Sequence, residues 1–332
     1  MGKVKNYLIL DTETATLSFI NEMNLTPDQK KKVAIARPLV YDIGWTIANR
    51  TSGVLEKKQF LVAETFSVPT IFNTAYYKEK RPLYLEMLKN GETTIKPWNE
   101  IATILIEDMA KCERVCAFNG MFDFCKAIPF TDLYISKLYS DNYYEWEQLQ
   151  RRLCDKIAHE PYKSNERDFD PMNFHFRNAQ YPMIDIWGLA CANIINKPTY
   201  KRACLENGLL SPSGMYFSTN AENVKRFICK EYGFIESHTA LSDAEIETEI
   251  LFHGLKCGKK TEGIIYFPFR ALGDVSDFVV SDGKITCEMA ENALRILEAY
   301  LNQQADKHSA YKSHVEASAA KVANFIMEKW GD

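Results

Sequence analysis

The stretch Tyr7-Leu8-Ile9-Leu10-Asp11-Thr12-Glu13-Thr14 decides how the rest of the chain is read. Four apolar residues in a row read as a short buried strand. The run stops abruptly at two acids. Strand side chains alternate between faces, so Asp11 and Glu13 point the same way. The expected product is a pair of carboxylates converging where a buried strand ends.

Working outward, the next strands are close at hand. Residues 39–48 and 54–62 are β-rich, and the turn-like Asn49-Arg50-Thr51-Ser52-Gly53 between them predicts a hairpin. Residues 14–38 hold Pro27, Pro38 and the run Lys30-Lys31-Lys32, and read as a surface excursion with one helical turn. The spacing of Ile101, Leu105 and Met109 predicts a helix over 98–111. A short strand follows at 114–118, with a helix from Asn119. Residues 130–182 are rich in Tyr, Asp and Arg and poor in periodicity, apart from a helix near 145–157. They read as an insertion. Helices are expected at 185–195, 221–232 and 241–255. After Cys257 the composition shifts, with a strand at 264–267 and helices at 286–303 and 307–330. A hairpin after the first strand, then alternating helices and strands, predicts a mixed α/β sheet with helices on both sides. The domain expectation is a first domain over 1–256 and a mostly helical extension over 257–332.

Two further segments carry polar side chains in informative places. In Asn119-Gly120-Met121-Phe122-Asp123, Asn119 suits a helix N-cap and Asp123 falls four residues on, on the same helical face. Phe122 and Phe124 flank that acid and are candidates to stack on a base, although one of them is also a natural core residue. In His238-Thr239-Ala240-Leu241-Ser242-Asp243-Ala244, five helical residues turn through roughly 500°, which would separate His238 from Asp243 on a regular helix. The two meet only if His238 sits in the preceding loop and Asp243 in the first turns.

Taken together, these three segments resemble the DEDDh 3′→5′ exonucleases in order, residue type and context. That family includes the proofreading subunits of bacterial replicative polymerases, oligoribonuclease and ribonuclease T. Its pattern of a DxE strand, an NxxFD strand–helix and an HxAxxDA helix stands here as Asp11-Thr12-Glu13-Thr14, Asn119-Gly120-Met121-Phe122-Asp123 and His238-Thr239-Ala240-Leu241-Ser242-Asp243-Ala244. Tyr41-Asp42-Ile43-Gly44-Trp45 and Met183-Ile184-Asp185-Ile186-Trp187 resemble two further segments of the family. The resemblance covers most of residues 5–256 and nothing after about 257. A glycine that often follows the first motif is replaced by Ala15-Thr16, the spacing between the second and third motifs is long, and 197–219 is unusual. These departures bear on substrate preference more than on chemistry.

The resemblance implies a ribonuclease H-like fold and hydrolysis of phosphodiester bonds from 3′ ends. Asp11, Glu13, Asp123, His238 and Asp243 would be catalytic. The four carboxylates would hold two Mg²⁺ or Mn²⁺ ions, with Asp11 bridging, and His238 would act as general base. Hard cations prefer carboxylate oxygen, and no soft cysteine cluster competes for them. Thr14, Asn119, Phe122 and Phe124 would contact substrate, with Glu13 and the Thr14 backbone at the terminal 3′-OH. Asp185 is expected to be structural. Single-stranded DNA is placed ahead of short RNA as substrate. An exoribonuclease, a catalytically silent nucleic-acid-binding adaptor and a polymerase subunit are the competing readings. The insertion, with Tyr143, Tyr144, Trp146, Arg151, Arg152, Phe174 and Arg177, could shape a single-strand channel. The extension could bind a polymerase or mediate self-association.

Bulk properties agree with such an enzyme without demanding it. The 332 residues are 46% hydrophobic and 25% charged, as in ordinary globular chains. A net charge of −4 argues against a broad basic surface for long duplex DNA, yet a site that gathers acids around cations is itself a source of negative charge. Nine scattered cysteines form no zinc pattern and fit free thiols in a reducing cytoplasm. No apolar run reaches the ~18 residues of a membrane helix. Neither a signal peptide nor a myristoylation site is expected at the N-terminus.

Overall fold

The computed structural model describes residues 5–160, 173–258, 272–304 and 310–331. The strand expected at 264–267 lies outside these residues. Seven strands form one mixed sheet in the order β4-β3-β2-β1-β5-β7-β6, with helices against it. They are β1 (Asn6–Ala15), β2 (Leu39–Asn49), β3 (Gly53–Val62), β4 (Thr94–Lys96), β5 (Arg114–Ala117), β6 (Asn173–Phe176) and β7 (Ala179–Asp185). β1, β2 and β3 form an antiparallel meander. β5 runs parallel to β1, β7 parallel to β5, and β4 parallel to β3. β6 closes one edge as an antiparallel hairpin with β7.

The chain packs as two compact units. One comprises Met1–Ile186 and Glu236–Thr248, and so contains the whole sheet. The other comprises Trp187–Ile235 and Glu249–Asp332. The expected boundary near 257 differs from this division, because residues 187–235 pack with the C-terminal helices. In that second unit Tyr200 is buried, and its hydroxyl donates to the Ser218 carbonyl at 2.8 Å. The helices Cys287–Gln303 and Ala310–Trp330 bury Ala293, Leu297, Val315 and Val322.

In the sheet unit, β2 is buried along all of its length, so both of its faces are covered. Alternation sorts them. Ile43, Trp45 and Ile47 share one face, and the Trp45 indole N–H donates to Asp108 of the helix Trp98–Met109 at 2.9 Å. Asp42, Gly44 and Thr46 share the other, which receives the helix Ala240–Cys257. There a Cβ added to Gly44 would lie 2.3 Å from the Leu241 backbone nitrogen, so only glycine permits this approach. One turn-pair further on, the hydroxyls of Thr46 and Thr248 meet at 2.6 Å.

Several elements differ from the sequence reading. Residues 14–38 hold a ten-residue helix, Pro27–Ala36, rather than one turn. Its start is a full capping box, in which Thr26 accepts from Gln29 N–H and Gln29 accepts from Thr26 N–H. Residues 130–182 are not one excursion. The helices Ile128–Leu138 and Tyr143–His159 pack into the sheet unit, and β6 and β7 extend its sheet. Asp185 ends β7 rather than opening a helix. The helices Pro198–Asn207 and Val275–Ser281 were not expected. Among the described residues, no helix is long and apolar enough to cross a membrane.

Candidate active site

Each acid of the three motifs arrives on an element that fixes it. Asp11 and Glu13 alternate along β1 with buried Thr12 between them, and both stay partly open to solvent. The register against β2 shifts between Glu13 and Thr14, an irregularity that re-aims side chains at the strand end. Thr12 points the other way, yet its hydroxyl donates to Asp123 Oδ1 at 2.6 Å and ties the second motif to the first strand.

Asp123 opens a wide π-type turn, Asp123–Ala127, that runs on into Ile128–Leu138. Pro129 has no N–H to give the carbonyl four residues back, and Ile128 N–H instead reaches the Asp123 carbonyl. Asn119 stands at the N-cap position, as its place in the sequence suggests, with a left-handed backbone, φ 66°, but does not cap with its side chain. Asp185 does that work: its Oδ1 accepts from Asn119 N–H at 3.1 Å and Gly120 N–H at 3.4 Å. This is the structural role expected of Asp185.

Asp243 lies in the first turn of Ala240–Cys257. The start of that helix is held by Asp42, whose carboxylate accepts from Ala240 N–H at 3.0 Å while Gln59 and Tyr84 also donate to it. A carboxylate at a helix N-terminus is favoured by the exposed N–H groups and the dipole. Burial nevertheless pushes Asp42 up to about 6, against the pull of its three donors. His238 occupies the preceding loop with φ 51°, a conformation uncommon for a non-glycine residue. Its Nδ1 stands 3.8 Å from Asp243 and 3.5 Å from Glu236.

The first and third segments meet. Ligand-capable atoms of Glu13, His238 and Asp243 lie within 4.8 Å of one another. Asp11 and Asp123 are not part of that cluster and act on it through their charges. Burial, then the charges of Glu247, Asp123, Asp243 and Glu13, raise Asp11 well above the usual carboxylate range. Burial and the neighbouring Asp243 do the same to Glu13. Asp123 is pushed up to about 7 by burial, and Asp243 to about 8 by burial and Glu236. Like charges this close are stable only if they take up protons or are neutralised by a cation. Asp243 Oδ1 is buried and has no hydrogen-bond partner, a costly state that a bound cation would relieve. The carboxylate oxygens of this cluster could hold a hard divalent cation such as Mg²⁺ or Mn²⁺.

No protein-family model, curated protein or solved structure matches this chain.

Some expectations are corrected. Phe124 is 2% exposed and packs on Phe174 at 4.7 Å between ring centroids, so it is core and unable to meet a base. Phe122 is half-buried and leans on the same core. Thr14 is half-buried in β1 and Asn119 is exposed. The suggested single-strand channel loses most of its parts. Trp146 and Phe174 are buried, Arg151 pairs with Glu22 and Glu147, and Arg177 pairs with Asp132.

Four nearby residues escaped sequence reasoning. Glu247 is buried and accepts from Phe118 N–H at 3.1 Å, so it ties the helix of Asp243 to the end of β5. Its place four residues after Asp243 was a legible signal, since such residues share a helix face. Glu236, Tyr77 and Lys80 left none. The Tyr77 ring stacks on His238 at 4.7 Å and 14°. Lys80 Nζ donates to the Ser237 carbonyl at 2.5 Å, and its charge acts on Glu13 and Asp243.

Proposed function

We propose that this chain is a metal-dependent 3′→5′ exonuclease that hydrolyses phosphodiester bonds of single-stranded nucleic acid, with a ribonuclease H-like fold. The observation that carries the reading is the cluster of Glu13, His238 and Asp243, with Asp11 and Asp123 near enough for their charges to act on it and one buried oxygen of Asp243 lacking any donor. The β1–β2–β3 meander continued by parallel β5 and β7 supports the fold assignment.

Asp11, Glu13, Asp123 and Asp243 would hold two divalent ions. Such ions, when bound, neutralise phosphate charge and activate water. The chain's own residues do the rest. Thr12 orients Asp123, and Asp42 and Gly44 seat the helix that presents Asp243. His238, stacked on Tyr77 and held in its loop, would take a proton from the attacking water, as a neutral imidazole can. Asp185 and Glu247 fix the turn between β5 and Asp123. DNA is preferred as substrate over short RNA in this reading, and the contacts that read a 2′-OH decide between them.

The test is end polarity. Purified full-length chain is given 3′-labelled and 5′-labelled single-stranded DNA and RNA with Mg²⁺, together with circular single-stranded DNA. Mononucleotides released from 3′ ends and an intact circle are expected. Cutting of the circle would replace the exonuclease with an endonuclease. Binding of oligonucleotides without hydrolysis would favour the silent adaptor.

A further inference from the structure

The aromatic residues that sequence reasoning assigned to substrate are committed elsewhere, Phe124 to the core and Phe122 largely so. A different aromatic pair stands at the site. Tyr76 is 78% exposed, and its ring meets Tyr77 edge-on at 4.8 Å and 85°. Tyr77 in turn lies flat on the His238 imidazole. The exposed ring is thus two ring spacings, each under 5 Å, from the imidazole that faces Asp243. An exposed tyrosine alone is ordinary. One joined ring to ring with a candidate general base is not.

The pair is anchored to the strand that carries the acids. Thr16 N–H, just past the end of β1, donates to Thr74 Oγ1 at 2.8 Å, and that hydroxyl donates to the Ile71 carbonyl at 2.6 Å. Ala75 is buried, and Lys80 N–H closes a turn onto the Tyr77 carbonyl at 3.0 Å. Tyr76 and Tyr77 therefore leave a point fixed to the end of β1. A cation completes the arrangement, since Lys80 Nζ lies 4.2 Å from the Tyr77 ring centroid and its charge reaches Glu13 and Asp243.

We propose that Tyr76, braced edge-on by Tyr77, forms a nucleobase-stacking site beside the carboxylates, with Lys80 positioned for the phosphate that joins the bases. The ligand class is a single-stranded nucleic acid, held by a base within its last two nucleotides. Every base has a π-face, so such a site is tolerant of sequence, and duplex ends must fray to use it. The assignment rests on the reading of the acids as a phosphodiesterase centre, and it adds how the strand end is held there.

Steady-state hydrolysis of a short oligothymidylate by the full-length chain tests it, with Tyr76→Ala and Tyr76→Phe beside wild type. Tyr76→Ala raises KM by about 10-fold, in the range for loss of one base stack, and changes kcat far less. Tyr76→Phe restores KM. On an oligomer whose last two nucleotides are abasic, wild type and Tyr76→Ala have the same KM. An unchanged KM for Tyr76→Ala, or an equal rise on the abasic oligomer, overturns the stacking site while leaving the exonuclease standing. If wild type hydrolyses no substrate, the exonuclease reading falls. Fluorescence polarisation of the labelled oligomer in EDTA then decides the site by itself. Binding that needs both Tyr76 and the terminal bases upholds it, and binding independent of either, or none, overturns it.

Discussion

At the scale of single residues, the account divides the five central side chains by role. His238→Ala removes a proton acceptor and no carboxylate, so kcat should drop by ~10²–10⁴ while Mn²⁺ affinity, measured by calorimetry, changes little. Asp243→Ala should lose both, because Asp243 supplies the buried oxygen that lacks a partner. If His238→Ala keeps its rate, the histidine is a stacking partner of Tyr77 and nothing more. The residues of this division were legible in the sequence because their chemistry depends on short spacings: two on a strand, or a loop followed by one helical turn. Tyr77, Lys80 and Glu236 were not legible. They reach the site through chain folding, and no local spacing marks a tyrosine as the neighbour of a histidine 161 positions away. Phe124 was misplaced for a related reason. Flanking an acid says nothing about which side of the turn is core, and here Phe174, from a strand far along the chain, supplies the partner.

At the scale of elements, the site depends on how closely the helix Ala240–Cys257 lies on β2. Gly44→Ala would place a methyl group 2.3 Å from a backbone nitrogen of that helix. Backbone cannot swing aside as a side chain does, so the cost is expected at or above the ~1–3 kcal/mol of ordinary overpacking. Urea unfolding should show it, together with loss of Mn²⁺ binding, since Asp243 moves with the helix. A Gly44→Ala protein of wild-type stability would show that the helix has room to shift. Asp185→Ala should cost about 1–2 kcal/mol by leaving the Asn119 and Gly120 N–H groups without their acceptor. The strands and most helices were readable from apolar runs and 3.6-residue spacing. The helix Pro27–Ala36 was obscured by its three lysines, and its true signal was the Thr26 to Gln29 capping box. β6 was obscured because it is only four residues long, so its alternation, Asn173-Phe174-His175-Phe176, is too short to stand out.

At the scale of the whole molecule, the acid cluster is expected to link stability to both pH and metal. Without a cation, Asp123 and Asp243 titrate near 7 and 8, raised first by burial, against about 4 in the unfolded chain. The folded state then binds these protons more tightly than the unfolded state. Their contribution to stability is complete below about pH 4 and is lost as pH rises through 7 and 8. The melting temperature of EDTA-treated protein should therefore fall from about pH 4 to about pH 8 and level off above it. Mg²⁺ or Mn²⁺ should raise it most at the alkaline end, where the ligands are already deprotonated. A melting temperature that rises with pH in EDTA would mean that the acids are not crowded as described. The central claim, hydrolysis of a nucleic-acid end by a cation-loaded carboxylate cluster, is tested most directly by one time course. A 5′-labelled single-stranded DNA is incubated with the full-length chain in Mg²⁺, then in excess EDTA, then with Mg²⁺ restored, beside Asp243→Asn under the same conditions. The account predicts a ladder shortened one nucleotide at a time from the 3′ end, halted by EDTA, resumed with Mg²⁺ and missing in the variant. Shortening that continues in EDTA, or proceeds unchanged in Asp243→Asn, would contradict it.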